Sequence, residues 1–232
     1  MKGKACIKKA LRHVETPPRT ADPCAGKPID QEDPVVTKQL QNFARQTVFD
    51  TLSALFIRPE GEDTLQRYKE MLPAAAALAA ELGTDSKPFE RALVTPKPKA
   101  VELEREYAKL FLGVGTETVP LSESAWTSPQ QILCQEAQLE CRKAYLDAGL
   151  ETAGLLGVPE DHLGMELGFM AVLILKEDTE GAARFFAAHP AKWLPGFAEA
   201  LRLRGDAVFF REVADILDAV CEMEKLIADQ AA

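Results

Sequence analysis

Val158-Pro159-Glu160-Asp161-His162-Leu163-Gly164-Met165-Glu166-Leu167-Gly168-Phe169-Met170 is the stretch on which the fold turns. Gly157-Val158-Pro159 opens it, and proline suits a first helical turn, where its missing N–H costs nothing. Glu160 and Asp161 match the positive end of a helix dipole. Leu163, Leu167, Met170, Ala171 and Ile174 then recur at the helical period and leave one apolar stripe. The stretch predicts an amphipathic helix whose first turn holds Pro159.

The same period extends outward in both directions. Val36, Leu40, Phe43, Val48, Leu52, Leu55 and Phe56 predict a helix from about Pro34, ended by Arg58-Pro59-Glu60-Gly61. A second runs from about Asp63 to Leu82, with Pro73 inside it to kink or split it. Residues 83–99 read as a proline-broken connection, Val101–Phe111 as a helix, and residues 112–127 as a long loop of the kind that often carries function. Ser128-Pro129-Gln130-Gln131 has the form of a capping box, so a helix is expected to start there. Its predicted face holds Leu133, Ala137, Cys141, Ala144 and Tyr145, and Gly149 stops it. Helices over about 181–188, 193–203 and 206–228 complete the pattern, the last capped by Asp206. No alternating strand pattern of useful length occurs. The fold class is all-α, a single helical bundle of about eight or nine helices over residues 34–232. Residues 1–33 hold four prolines and little periodicity, and read as a disordered or loosely packed leader.

The chain has 232 residues, 47% of them hydrophobic, which is enough for a sizeable core. Its net charge of −9 carries no basic footprint, so a nucleic-acid partner is not expected. No apolar run reaches the roughly 18 residues of a membrane span. Five cysteines, Cys6, Cys24, Cys134, Cys141 and Cys221, form no CxxC pair. Cys134 and Cys141 share a predicted helix roughly 10 Å apart, too far for a disulfide. Buried thiols in a reducing, cytoplasmic compartment follow.

Catalytic patterns are sparse. There is no GxSxG and no phosphate loop, and Gly113-Val114-Gly115 follows no strand. His162 and Glu166 share a helix face, but no second histidine joins them, so no metal centre and no cofactor are expected. The residues therefore read as a binding protein and not an enzyme.

Four segments, the opening stretch among them, then fall into one order. They are Glu106-Tyr107-Ala108-Lys109-Leu110-Phe111-Leu112-Gly113, Pro120-Leu121-Ser122-Glu123-Ser124-Ala125-Trp126, the 158–170 stretch, and Phe186…His189…Trp193-Leu194-Pro195…Phe197. Together they resemble the signature elements of the TorD/DmsD/NarJ family of molybdopterin oxidoreductase chaperones, the redox enzyme maturation proteins. The resemblance spans about residues 35–228, with Lys109 where the family usually has arginine and Ser122 where several members have an aromatic.

That resemblance implies a TorD-like bundle and a cytoplasmic chaperone. Its partner would be the catalytic subunit of a molybdopterin oxidoreductase, held by its twin-arginine signal peptide, by its apo form, or by both. Such a chaperone aids cofactor insertion and prevents premature export, as a monomer or a homodimer. The implied peptide site draws on Asp161, Glu123 and Glu166 as carboxylates for arginines. Trp126, Pro159 and Leu163 would offer apolar contact, with His162 and Ser124 beside them. Each residue also has a plainer reading. Trp126 can plug the core, Asp161 can serve the helix dipole alone, and Glu166 can brace two helices. Two alternatives stand beside the chaperone: a helical assembly protein with another client, and a small metal- or nucleotide-binding enzyme.

Overall fold

The computed structural model describes residues 34–114, 117–129, 133–151 and 157–231, which form ten helices. They are α1 (Pro34–Ile57), α2 (Gly61–Leu82), α3 (Lys87–Val94), α4 (Ala100–Phe111), α5 (Ser124–Thr127), α6 (Glu136–Asp147), α7 (Leu163–Leu175), α8 (Thr179–Ala188), α9 (Pro190–Leu203) and α10 (Phe209–Ala231). Among the described residues there is no strand, only an isolated antiparallel bridge between Ser122 and His162. Lys38–Ala232 cluster as one compact unit, and of the unit before it only the first turn of α1 is described. The expected leader lies outside the described residues. The all-α bundle expected from the sequence is the fold observed.

Aromatic rings at the centre join elements distant in sequence. Phe56 of α1 has its ring centroid 6.0 Å from Phe111 of α4, 5.7 Å from Phe197 of α9 and 5.8 Å from Phe210 of α10. A second cluster packs Tyr145, Phe169 and Phe185 of α6, α7 and α8 edge to face, with centroids 4.6 and 4.7 Å apart. α10 lies along α9 and also contacts α2, α3, α4 and α8. One buried ion pair crosses the bundle, Arg45 of α1 reaching both carboxylate oxygens of Glu224 on α10 at 2.8 and 2.7 Å. A bidentate pair of this kind compensates two charges that burial would otherwise penalise.

Two glycines set how closely α7 approaches α1. A methyl on Gly164 would lie 2.6 Å from Ile57 Cγ1 and 2.9 Å from the Ile57 backbone nitrogen, and one on Gly168 would lie 2.9 Å from Ser53 Oγ. Their absence lets the Ser53 hydroxyl donate to the Gly164 carbonyl at 2.6 Å.

Several elements depart from the sequence expectation. The connection 83–99 contains α3, because Pro88 sits at the start of a helix and does not break one, and Phe89 and Ala92 are buried beneath it. Pro73 leaves α2 continuous. Ser128 closes α5, its N–H bonding the Ser124 carbonyl, so the next helix begins only at Glu136; residues 130–132 of the expected start lie outside the described residues. Leu133 is accordingly exposed, and Cys134 is an exposed loop residue with φ 59°. Leu40 and Phe43, expected in the stripe of α1, are 59% and 66% exposed, while Val48, Leu52, Leu55 and Phe56 of the same pattern are buried.

The cap of α10 is the largest surprise of this kind. Asp206 pairs with Arg204 instead of capping. The Glu106 carboxylate of α4 accepts the backbone N–H groups of Val208, Phe209 and Phe210 at 2.8, 3.1 and 2.9 Å. Those are orphan donors at a helix start, and a carboxylate there also meets the helix dipole.

Two substitutions test these contacts. Glu106→Ala should cost about 1–2 kcal/mol, the scale of a lost cap, seen as a lower denaturation midpoint with an unchanged slope. Gly164→Ala gains up to about 1 kcal/mol of helix propensity. It should still destabilise, because overpacking against the Ile57 backbone costs about 1–3 kcal/mol.

Candidate functional site

The loop before α5 and the turn before α7 are stitched together by their backbones. Leu163 N–H donates to the Leu121 carbonyl at 2.7 Å, and Glu123 N–H donates to the Asp161 carbonyl at 2.9 Å. The Asp161 side chain repeats the link, its Oδ2 accepting the Ser124 backbone N–H at 2.9 Å and the Ser124 hydroxyl. Ser124 Oγ in turn accepts the Gln135 N–H at 3.1 Å.

This stitching explains why α7 starts late. Pro159 belongs to a turn closed by His162 N–H on the Pro159 carbonyl, 3.1 Å, and not to the first helical turn expected from the sequence. His162 is the N-cap, its Nδ1 accepting the Gly164 N–H at 3.2 Å. An accepting Nδ1 requires the neutral ring, and burial lowers the His162 pKa to about 4.

The carboxylates expected to meet a partner's arginines face inward. Asp161 and Glu166 are 0% exposed and Glu123 is 2% exposed. Glu166 Oε2 accepts the Trp193 indole N–H at 3.0 Å. Burial, then the Glu123 charge, raises the Glu166 pKa well above the usual carboxylate range and favours its protonated form. Glu123 Oε2 lies 2.8 Å from His189 Nδ1. Leu163 is core. Trp126, half-buried, donates its indole N–H to the Pro120 carbonyl at 3.0 Å and stacks on Trp193, centroids 6.3 Å apart. Pro159 is half-buried as well.

What opens to solvent is the outer face of the stitched segment. A cavity of about 1110 Å³ runs between it, the α1–α2 turn and the end of α4. Tyr107, Phe111 and Leu121 form its apolar lining, Pro159 and His162 its wall, and Arg58, Glu60 and Glu104 its polar groups. Glu60, Glu104, Arg58 and Leu112 are exposed there, as is Leu133. The Tyr107 hydroxyl donates to the Phe56 carbonyl at 2.8 Å, which ties α4 to the end of α1 and fixes that wall.

The structure therefore unites the 120–126 loop with the 159–166 segment. Five of the eight expected site residues, Glu123, Ser124, Asp161, His162 and Glu166, lie within their buried polar seam. Sequence reasoning gave Glu160 only the helix dipole and left Cys141, Tyr145 and His189 out of the site. The Tyr145 hydroxyl donates to the Glu160 carbonyl at 2.7 Å, and Arg142 and Gln138 bond the Glu160 carboxylate at 2.8 and 2.6 Å. The signal available for His189 was its place in the Phe186–Phe197 motif, and for Cys141 and Tyr145 their shared helix face.

Residues 75–199 match the family described as nitrate reductase delta subunit. The chain belongs to that family. The chaperone protein TorD of Vibrio parahaemolyticus is 24% identical over 203 residues, covering 79% of this chain and 94% of the relative. The TorD chaperone of Photobacterium profundum is 23% identical, covering 79% and 93%, and one from Vibrio cholerae is 26% identical, covering 69% and 81%. These relatives are named as chaperones. No described helix is long and apolar enough to cross a membrane.

The seam makes stability depend on pH through His162. Its folded pKa, about 4, lies below the ordinary 6.5, so the unfolded chain takes up the proton first as pH falls. Stability should drop progressively between about pH 6.5 and 4, by up to about 3 kcal/mol from this group. Urea melts at both ends of that window should show a smaller drop in His162→Asn, where asparagine can still cap. An equal drop in both proteins would assign the pH dependence to other groups.

Proposed function

We propose that the protein is a cytoplasmic chaperone for the catalytic subunit of a molybdopterin oxidoreductase, and that it holds that subunit's twin-arginine signal peptide in the cavity beside α7. The cavity carries the reading. Its volume of about 1110 Å³ exceeds the range of roughly 300–1,000 Å³ usual for small-molecule sites, and its lining is mostly apolar, with Glu60, Glu104 and Arg58 exposed at the edge. The names of the relatives support the same reading, since each is called a chaperone.

In this reading the expected site residues divide by depth. Pro159 and His162 line the cavity and touch the peptide. Asp161, Ser124, Glu123 and Glu166 act from behind, fixing the wall that the peptide meets. Trp126 and Leu163 support that wall from the core side. Glu60 and Glu104, exposed at the cavity, take the role of meeting the arginines. The apolar segment adds roughly 25 cal/mol per Å² buried, less the cost of ordering the peptide. Retention of the peptide keeps the client from export while its cofactor is inserted.

The test is calorimetric titration of the full chain with the twin-arginine peptide of the oxidoreductase that co-purifies from the native host. The Glu60→Lys/Glu104→Lys variant should bind at least tenfold more weakly while melting at nearly the same temperature. Added salt should weaken the wild type and spare the variant, since exposed charge pairs are screened. Equal affinity in wild type and variant would remove the cavity rim from the site.

A further inference from the structure

Within the seam and beside it, Glu123, Cys141 and His189 bring one donor atom each within 4.8 Å of one another. Three elements deliver them: the turn into α5, the middle of α6 and the α8–α9 junction. His189 Nδ1 lies 2.8 Å from Glu123 Oε2 and 3.4 Å from Cys141 Sγ. A fourth donor is at hand, because Glu166 Oε1 lies 3.9 Å from Cys141 Sγ while its Oε2 is held by Trp193. All four side chains are buried, His189 at 4% exposure and Cys141 at 0%.

We propose that Glu123, Cys141 and His189, with Glu166 as the fourth donor, form a buried site for a zinc-class divalent cation. Tetrahedral zinc takes sulfur at about 2.3 Å and nitrogen or oxygen at about 2.0–2.2 Å, which separates neighbouring donors by about 3.3–3.7 Å. The separations of 2.8, 3.4 and 3.9 Å lie on either side of that range, so the shell closes by side-chain adjustment. One sulfur, one imidazole nitrogen and two carboxylates suit zinc or cobalt and not calcium or magnesium, which take oxygen alone.

Charge supplies a second, independent argument. Glu123, Asp161 and Glu166 are three carboxyl groups in one buried region, and among the described residues no lysine or arginine bonds any of them. Asp161 Oδ1 has no hydrogen-bond partner at all among the described residues. Three buried carboxyl groups with His189 as their one basic neighbour among the described residues are a costly arrangement unless protons or a cation compensate them. On binding, the Cys141 S–H and Glu166 O–H bonds break and their protons leave to solvent. His189 gives up the Nδ1–H of its hydrogen bond to Glu123 and carries its proton on Nε2 instead, and the cation bonds Sγ, two carboxylate oxygens and the Nδ1 lone pair. Two protons leave as one dication enters, so the buried net charge is unchanged, and no oxidation state changes. Without metal the Cys141 thiol stays protonated, since burial first and then Glu166, Glu123 and Asp161 push its pKa far upward. The titratable groups around the site are Glu123, Cys141, Tyr145, Asp161, His162, Glu166 and His189.

The experiment uses the full chain carrying Cys6→Ser, Cys24→Ser and Cys134→Ser, which leaves Cys141 and Cys221 as its thiols. It is unfolded with chelator and refolded with cobalt(II), so that burial does not bar entry. One equivalent of cobalt per chain and a thiolate-to-cobalt charge-transfer band are expected, with zinc displacing the cobalt. Cys141→Ser should abolish the band. If that variant loses its cooperative melt, His189→Gln decides, with an expected loss of at least tenfold in cobalt affinity. Absence of the band in the parent, its survival in Cys141→Ser, or unchanged affinity in His189→Gln would overturn the site.

Discussion

The two backbone bonds that join residues 121–123 to 161–163 hold the rest of the site in place. Neither segment belongs to a sheet, and each would otherwise present unpaired N–H and C=O groups inside the bundle. Pairing them satisfies both and closes a loop of some forty residues. The entropy of closing a loop grows only slowly with its length, so a few well-made bonds can hold a long one. Once closed, the segment fixes the start of α7, and Gly164 seats that start on Ile57. Ile57 and Tyr107 then position the facing wall of the cavity.

Such a seam is costly to build from charged residues, and the choice of partners shows how the cost is met. Asp161 receives an N–H and a hydroxyl from the single residue Ser124, so one side chain is bonded twice to the element it must hold. Glu160, next to it, is compensated from outside by Arg142 and Gln138. Burial alone would raise the Glu160 pKa, yet those bonds lower it. Glu166 takes the opposite course and favours its neutral form. Neighbouring carboxyl groups thus reach different charge states because Glu166 is buried deeply beside another carboxylate, while Glu160 has Arg142 and Gln138 to outweigh its burial.

Much of the bundle could be read from the sequence. Helical periodicity located the cores of α1, α2, α4, α7 and α10, because burying one stripe per helix is what the fold requires. Errors gathered where a local signal served a different neighbour. Pro88 began a helix that proline seemed to forbid, Ser128 ended one it seemed to begin, and Asp206 yielded its cap to Glu106 from another helix. No local pattern encodes a carboxylate that arrives from α4. The site followed the same rule. The sequence motifs identified which segments meet, but the depth of each residue depends on the backbone pairing of 121–123 with 161–163, which spacing does not reveal.

That distinction bears on what the motifs report. Glu123, Ser124, Asp161 and Glu166 carry much of the resemblance to the family, and all are buried. Leu112, Glu60, Glu104 and Leu133 are exposed at or beside the cavity, and of these only Leu112 falls within a motif segment. A buried seam can be common to chaperones with different clients, because it meets the protein's own backbone. Discrimination between clients requires groups whose contacts change with the client, and only exposed groups meet that condition. Motifs in this fold therefore mark the frame of the site. With the client held as proposed, client choice would fall to the rim, where an exchanged carboxylate or leucine would alter binding energy without disturbing the bonds that close the loop.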